Sequence, residues 1–231
     1  MADSMINGIA ALVPMRHTSE RVPSKNYRPF HGKPLYHHIL RTLLDCPYVT
    51  TVLIDTDSPF ILEDAAKYFP EVQLVERPQH LRGGEVPMND VLLYDVTQLN
   101  HEWYLQTHST NPLLKTETIA RAIQVLRDGL PEHDSLFSVT RVQTRFWDGN
   151  GNPINHDPNT LIRTQDLSPM FEENSNIYIF RGDTLKSRRT RIGQRPLMFE
   201  MNRIEAIDID NETDFAMAEI LYSLFRKELE G

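Results

Sequence analysis

Arg16, Arg21, Lys25 and Arg28 crowd one short stretch of the chain, ALVPMRHTSERVPSKNYRPF, which runs from Ala11 to Phe30. Arginine offers an oxyanion a planar fork and lysine a compact point charge, while the backbone amides of Ser19 and its neighbours can cap the remaining lone pairs. Arg16, Arg21 and Lys25 together have the chemistry of a polyphosphate cradle. Charge alone leaves a second reading open, a solvated basic turn that balances acidic neighbours. The loop is neither of the common glycine-rich phosphate motifs, because no Gly occurs from Ala11 to His31 and no Gly-Lys-Ser or Gly-Lys-Thr follows.

A second constellation is acidic. In EAIDIDNETDF, Glu205 to Phe215, the alternation of a strand sets Asp208 and Asp210 on one side at the strand's end, where two hard oxygen donors could hold a metal. Aspartates also gather at helix starts for capping reasons: Asn211 and Thr213 offer caps and Asp214 suits a first helical turn. Asp55 and Asp57 in LIDTDS form a rival pair, also at a strand end. The chain's histidines supply no closed ligand set, since His37 and His38 point to different helix faces and a strand separates His101 from His108.

These residues need elements to hold them. Short apolar runs at Ile6 to Pro14, Thr51 to Asp55, Val72 to Val75 and Trp103 to Thr107 alternate with amphipathic segments, which predicts an α/β fold with a mainly parallel sheet flanked by helices. Helices are expected at Pro34 to about Leu44, Pro59 to Tyr68, Val86 to about Leu99 and Thr116 to Asp128, with a strand at Ser135 to Val142. The basic loop then lies beyond the carboxyl end of the first strand, where ligands of open α/β sheets bind. Between Gln143 and Asn174 the pattern lapses into DGNGNPINHDPNT and its flanks, an excursion within the domain rather than a linker, of the length expected for a lid, a binding loop or an arm. Strands are expected again at Asn176 to Gly182 and Glu205 to Ile209. The final helix, from Asn211, carries Phe215, Ala218, Leu221, Tyr222, Phe225 and Leu229 on one face.

The length of 231 residues suits a single domain, 1–231, whose core needs no covalent staples. A formal charge of -8 argues against a nucleic acid partner and leaves a small anion as the object of the basic loop. Cys46 is the single cysteine, which excludes an internal disulfide or thiolate cage, fits a reducing compartment, and reads as an inert helix-end residue. No apolar run approaches the roughly 20 residues that span a bilayer, and the N-terminus lacks the regions of a signal peptide. The expectation is a cytoplasmic protein with no membrane partner.

Taken whole, ALVPMRHTSERVPSKNYRPFHGKPLYHHIL resembles the N-terminal signature of the sugar-acid cytidylyltransferases, the group of the acylneuraminate (CMP-sialic acid) synthetases and the related KDO enzymes. The matching positions are Arg16, Ser19, Arg21, Val22, Pro23, Lys25, Asn26 and the run Gly32-Lys33-Pro34-Leu35. The resemblance continues in order through LIDTDS, ERPQHL (Glu76 to Leu81), LQTHSTNPLL (Leu105 to Leu114), FEENSNIYIF and AIDIDNETDFAMAE (Ala206 to Glu219). Three places depart from it. Glu20 stands where sialic acid synthetases commonly carry Lys, with the cation one residue later at Arg21 as in the KDO enzymes. His108 occupies a place that tends to hold Gln facing the sugar, and Glu172-Glu173 replaces an Arg-Pro pair.

The resemblance implies a Rossmann-like nucleotidyltransferase that moves CMP from CTP to a 2-keto-3-deoxy sugar acid, as a homodimer whose arm, 143–174, serves pairing and a neighbour's sugar site. Nucleotide contacts would fall to Pro14, Met15, Arg16, Ser19, Arg21, Lys25, Asn26 and Arg77, and base selectivity to the backbone of Ala11 to Met15 and the segment from Arg77 to Pro87. The sugar would meet His108, Asn111, Arg163, Gln165 and Asn174. Attack by an anomeric hydroxyl on the α-phosphorus expels pyrophosphate and loads charge on phosphate oxygens, which Mg²⁺ and fixed cations stabilise. Mg²⁺ prefers one or two carboxylates plus phosphate and water, so Asp208 and Asp210 are the expected ligands. Arg16, Arg21, Lys25 and Asp210 are the expected catalytic set. The alternatives are another nucleotidyltransferase of the same fold and, because of Glu20, a nucleotide-binding homologue without turnover.

Overall fold

The computed structural model describes residue 6 and residues 8–229, with side chains described through residue 225. The sequence reading of the extreme N-terminus, of Asn7 within the first apolar run, and of the Leu229 side chain lies outside that set. In chain order the elements are β1 (Ile9–Met15), β2 (Pro29–Phe30), β3 (Lys33–Pro34), α1 (Leu35–Leu44), β4 (Val49–Thr56), α2 (Pro59–Tyr68), β5 (Gln73–Glu76), α3 (Met88–Asp95), β6 (Trp103–Gln106), α4 (Thr116–Asp128), β7 (Ser135–Val142), β8 (Met170–Arg181), α5 (Gly182–Arg188), β9 (Pro196–Glu200) and α6 (Glu212–Leu229).

Seven strands form one sheet in the order β5-β4-β1-β6-β8-β7-β9. β8 runs antiparallel to both neighbours and the other pairings are parallel. Every residue of β1, IAALVPM, is buried, as a central strand covered on both faces requires. Its alternate side chains divide between two cores. Ile9, Ala11 and Val13 pack with Ile39 and Leu43 of α1 and Ile119 and Ile123 of α4. Ala10 and Leu12 face Leu92 of α3 and Leu185 of α5. Winding from β1 proceeds to β4 and β5 on one side and to β6 on the other, so the crevice beyond the carboxyl ends of β1 and β6 is the switch point of the sheet.

A third apolar cluster positions the chemistry. Val22 and Phe30 from the basic loop pack against Leu113, Ile209 and Phe215, Ala218 and Tyr222 of α6, which ties both charged segments to one helix. The loop closes through β2 and β3, whose two-residue turn places His31 at φ 46° and Gly32 at φ 81°. Both values belong to the hairpin turn that matches strand twist, and glycine meets them without steric cost.

Several expectations shift. Pro34 precedes α1 as its N-cap instead of opening it, and α3 spans Met88–Asp95 rather than extending to Leu99. β8 begins at Met170 and pairs Glu172 and Glu173 with Thr140 and Val139, which removes 170–174 from the arm. Glu205 to Ile209 is not a strand; it is a turn and an extended segment, held by Ala206 N donating to Asn202 O and Ile209 N to Thr110 O, both 3.0 Å. Among the described residues no helix is long and apolar enough to cross a membrane.

Candidate active site

A cleft of about 460 Å³ opens at the switch point and brings both charged constellations onto its walls. Pro14 and Met15 end β1, and Arg16, Ser19, Arg21, Lys25 and Asn26 follow from the loop. Arg77, His108, Asp208 and Asp210 complete the expected residues present there. Because 205–209 is not a strand, alternation does not aim the two aspartates. The backbone bond from Ile209 to Thr110, and Lys25 Nζ donating to Ile209 O at 2.6 Å, bring that segment against β6 and the basic loop.

The loop cations differ in what they already hold. Arg21 Nη2 donates to Asp210 Oδ1 at 2.8 Å, and Lys25 Nζ lies 3.6 Å from the same oxygen. Among the described residues the Arg16 guanidinium has no hydrogen-bond or ion-pair partner; a Cβ on Gly84 would come within 3.1 Å of its Nη1, so glycine there lets the opposite wall approach. Arg28 turns away from the cleft, with Nη1 donating to both carboxylate oxygens of Glu212 at 2.7 and 2.8 Å and Cζ 4.2 Å from the Phe215 ring centre.

Three side chains fix the loop's shape. Asn26 donates from Nδ2 to Arg16 O at 2.6 Å and accepts at Oδ1 from Ser109 Oγ at 2.7 Å, so it struts the loop to the turn after β6. Asp57 Oδ1 accepts from His17 N at 2.6 Å, and Ser58 Oγ sits 2.8 Å from His17 Nδ1 while capping α2. The Asp55 carboxylate receives Nε of buried Arg77, whose Nη2 donates to Asp55 O at 3.2 Å. Asp55 and Asp57 are thus anchors of the two walls. Beneath Arg77, burial pushes the Asp95 carboxyl up to about 9, with the charge of Asp55 adding to the effect.

Burial also raises Asp208 above the usual carboxylate range, with Thr110 Oγ1 donating to its Oδ1 in opposition and Asp210 adding to the rise. Asp208 Oδ2 and Asp210 Oδ2 accept no hydrogen bond among the described residues, and no group of three or more His, Cys, Asp and Glu side chains there could enclose a metal. Two such carboxylate oxygens in a cleft shared with Arg16, Arg21 and Lys25 fit a hard cation of the kind that completes its shell with phosphate and water. His108 is pushed down to about 4, chiefly by desolvation and further by Arg191 and Lys25, so its imidazole is neutral.

The remaining expected sugar residues are elsewhere. Asn111 is buried behind the cleft wall and donates to Ile207 O at 3.2 Å. Asn174 spends its amide on Ser138 Oγ at 2.6 Å and Thr140 Oγ1 at 3.0 Å. Arg163 pairs with Asp166 at 2.7 Å, and Gln165 is exposed; both lie on the arm and line no part of this chain's cleft. Sequence reasoning missed Ser109 and Thr110 as the hydroxyls that donate to Asn26 and to Asp208. The polar STNP turn directly after a buried strand was their available signal.

A mainly parallel sheet with a cleft at its switch point, lined by three loop cations and a carboxylate pair, has the arrangement of a nucleotidyltransferase class of site. The family model for cytidylyltransferases matches residues 10–228, and the chain belongs to that family. It is 27% identical over 235 residues to a CMP-N,N'-diacetyllegionaminic acid synthase of Legionella pneumophila, covering 96% of this chain and 99% of that one. It is 24% identical to N-acylneuraminate cytidylyltransferase A of Danio rerio, where 91% of this chain spans 50% of the longer relative. Among solved structures, a CMP:2-keto-3-deoxy-manno-octonic acid synthetase complexed with CTP shares the fold at TM-score 0.71 and 16% identity, over 94% of this chain and 99% of that one.

Proposed function

We propose that the cleft transfers CMP from CTP to a 2-keto-3-deoxy sugar acid of the sialic acid type, releasing pyrophosphate. The observation that carries this reading is the convergence of Arg16, Arg21 and Lys25 with Asp208 and Asp210 on one cleft in a chain of the cytidylyltransferase family. The named relatives, which include a legionaminic acid synthase and acylneuraminate enzymes, support the acceptor class.

Arg16, without a hydrogen-bond or ion-pair partner among the described residues, is ready to receive phosphate oxygens. Arg21 and Lys25 are held beside Asp210 and can exchange that contact for the triphosphate as it enters, because the Arg21–Asp210 pair is solvent-exposed and weakly stabilising. These cations offset charge on the departing pyrophosphate. His108, neutral at physiological pH, serves as a hydrogen-bonding partner for the sugar. The backbone around Gly83 and Gly84 offers close-approaching donors and acceptors for the base. Mg²⁺, held by Asp208 and Asp210, would supply neutralisation of the phosphate charge.

The arm supports a homodimer reading. Leu161, Ile154 and Trp147 are 91%, 55% and 51% exposed in the single chain, and Phe171 and Met170 at the start of β8 are exposed as well. Sedimentation at micromolar concentration tests this, with a monomer as the contrary result. The catalytic reading is tested by supplying each nucleoside triphosphate with a panel of sugar acids, with Mg²⁺ or with chelator, and measuring pyrophosphate. Release that requires CTP, a sugar acid and Mg²⁺ is expected; release with another nucleotide, or unaffected by chelation, counts against it.

A further inference from the structure

Arg191, in the loop between α5 and β9, is held in place and left with unspent charge. Its Nη1 donates to Gln106 Oε1 at 2.6 Å, and its Cζ lies 3.6 Å from the Tyr178 ring centre. Gln106 is wholly buried at the end of β6, and its Nε2 lies 3.3 Å from His108 Nε2 on the cleft wall. Among the described residues Arg191 Nε and Nη2 donate to no group and no carboxylate pairs with the side chain. Every other contact of the side chain is spent on orienting it.

The loop beneath Arg191 is rigid for identifiable reasons. Asp134 accepts from the amides of Gln194 and Arg195, each at 3.0 Å, and Ser135 Oγ accepts from Gly193 N at 2.8 Å. A Cβ at Gly193 would collide with Asp134, so the close approach demands glycine. At the other end Arg189 Nη2 pairs with Asp90 at 2.8 Å and Arg189 O accepts from Asn89 Nδ2 at 3.1 Å, both at the start of α3. A guanidinium fixed by stacking and one hydrogen bond on a pinned loop is a preorganised oxyanion receptor.

Its location selects the anion. Arg191 reaches the cleft wall through Gln106, whose Nε2 lies 3.3 Å from His108 Nε2, and His108 lines the cleft together with Lys25, Asp208 and Asp210. In a 2-keto-3-deoxy sugar acid the carboxylate is bonded to the anomeric carbon, adjacent to the attacking hydroxyl. A receptor for that carboxylate must therefore stand beside the place where the α-phosphorus is attacked, while triphosphate oxygens meet the loop. We infer that Arg191 receives the carboxylate of the sugar acid within the same chain, and so selects 2-keto acids over neutral sugars. This rests on the reading of the cleft as a sugar-acid cytidylyltransferase site.

The test compares wild type, Arg191→Met and Arg191→Lys with CTP, Mg²⁺ and two acceptors: whichever of N-acetylneuraminate or KDO the wild type uses, and its C1 amide. Arg191→Met should lower kcat/KM for the acid about tenfold to a hundredfold through KM, as expected for a lost charge-assisted contact. The KM for CTP should be unchanged, the amide should be used equally by wild type and Arg191→Met, and Arg191→Lys should recover part of the loss. Equal losses on acid and amide would assign Arg191 a purely structural role through Gln106, and an unchanged KM for the acid would remove it from the site. Both results overturn the inference and leave the cytidylyltransferase reading standing. Absence of wild-type turnover with both acids overturns that reading and the inference with it.

Discussion

Arg21 and Arg28 sit seven positions apart in one basic loop and do different work. Arg21 lines the cleft and is 66% exposed, paired only with Asp210, whereas Arg28 is bound to Glu212 and stacked on Phe215. Arg21→Ala is expected to reduce turnover about tenfold to a hundredfold, the effect of losing a contact worth about 1.5 to 3 kcal/mol. Arg28→Ala is expected to leave turnover intact and to lower stability by about 1 kcal/mol or less, since its ion pair is partly exposed. Steady-state kinetics and thermal melts of both variants decide it, and equal kinetic losses would show that the loop is misassigned. The motif in the sequence pointed to Arg16, Arg21 and Lys25 as nucleotide contacts; all three line the cleft, and their contact with phosphate belongs to the proposed function. It did not show that Asn26 is a strut, because an amide that bonds Arg16 O and one that bonds a nucleotide look alike in sequence. Arg191 was equally invisible, since its partners Gln106 and Tyr178 are brought to it only by β6 and β8 pairing.

At the scale of elements, local signals served where structure is local. α2 and α4 have spacing and lengths readable from sequence, and both match the expected ranges at Pro59–Tyr68 and Thr116–Asp128. Glu205 to Ile209 reads as a strand by alternation yet finds no neighbour, because the sheet ends at β9 and that segment is claimed by Thr110 and Lys25 instead. α6 begins with Asn211 Oδ1 accepting from Thr213 N at 2.8 Å and Asp214 N at 3.1 Å, which identifies Asn211 as the cap. Asn211→Ala should cost about 0.5 to 2 kcal/mol in a thermal melt while the folded molecules keep their turnover. α3 carries a different cost in Asp95. Its carboxyl is raised to about 9 in the fold, by burial and then by Asp55, and the unfolded carboxyl titrates near its ordinary value of 3.8. The fold therefore holds a proton that the unfolded chain releases, so this group favours folding in acid and that contribution fades as pH rises toward about 9. Asp95→Asn stays neutral throughout and can donate to Asp55, so its melting temperature relative to wild type should rise steadily from about pH 4 to about pH 9. A difference that does not change with pH would contradict the protonated state of Asp95.

The whole molecule joins an acidic surface to one cationic loop at the switch point of its sheet. The charge of -8 disfavours extended polyanions, while Arg16, Arg21 and Lys25 offer a small site where a triphosphate fits. Asp210 links this arrangement to catalysis, because its Oδ1 meets Arg21 and Lys25 while its Oδ2 accepts no hydrogen bond among the described residues. Its removal should not threaten folding: the Arg21 pair is exposed, and Asp210 joins the α6 cap only through its backbone N–H, which donates to Asp214. Phosphorus NMR of CTP, Mg²⁺ and a sialic or KDO-type acid can follow the α-phosphorus of CTP during reaction with wild type and with Asp210→Asn. The expected result is conversion of the wild-type signal to a sugar phosphodiester with equimolar pyrophosphate, and loss of that conversion by several orders of magnitude in an Asp210→Asn protein that melts normally. CTP left intact by the wild type with every such acid, or an Asp210→Asn protein that melts lower yet turns over at the normal rate, would contradict the account.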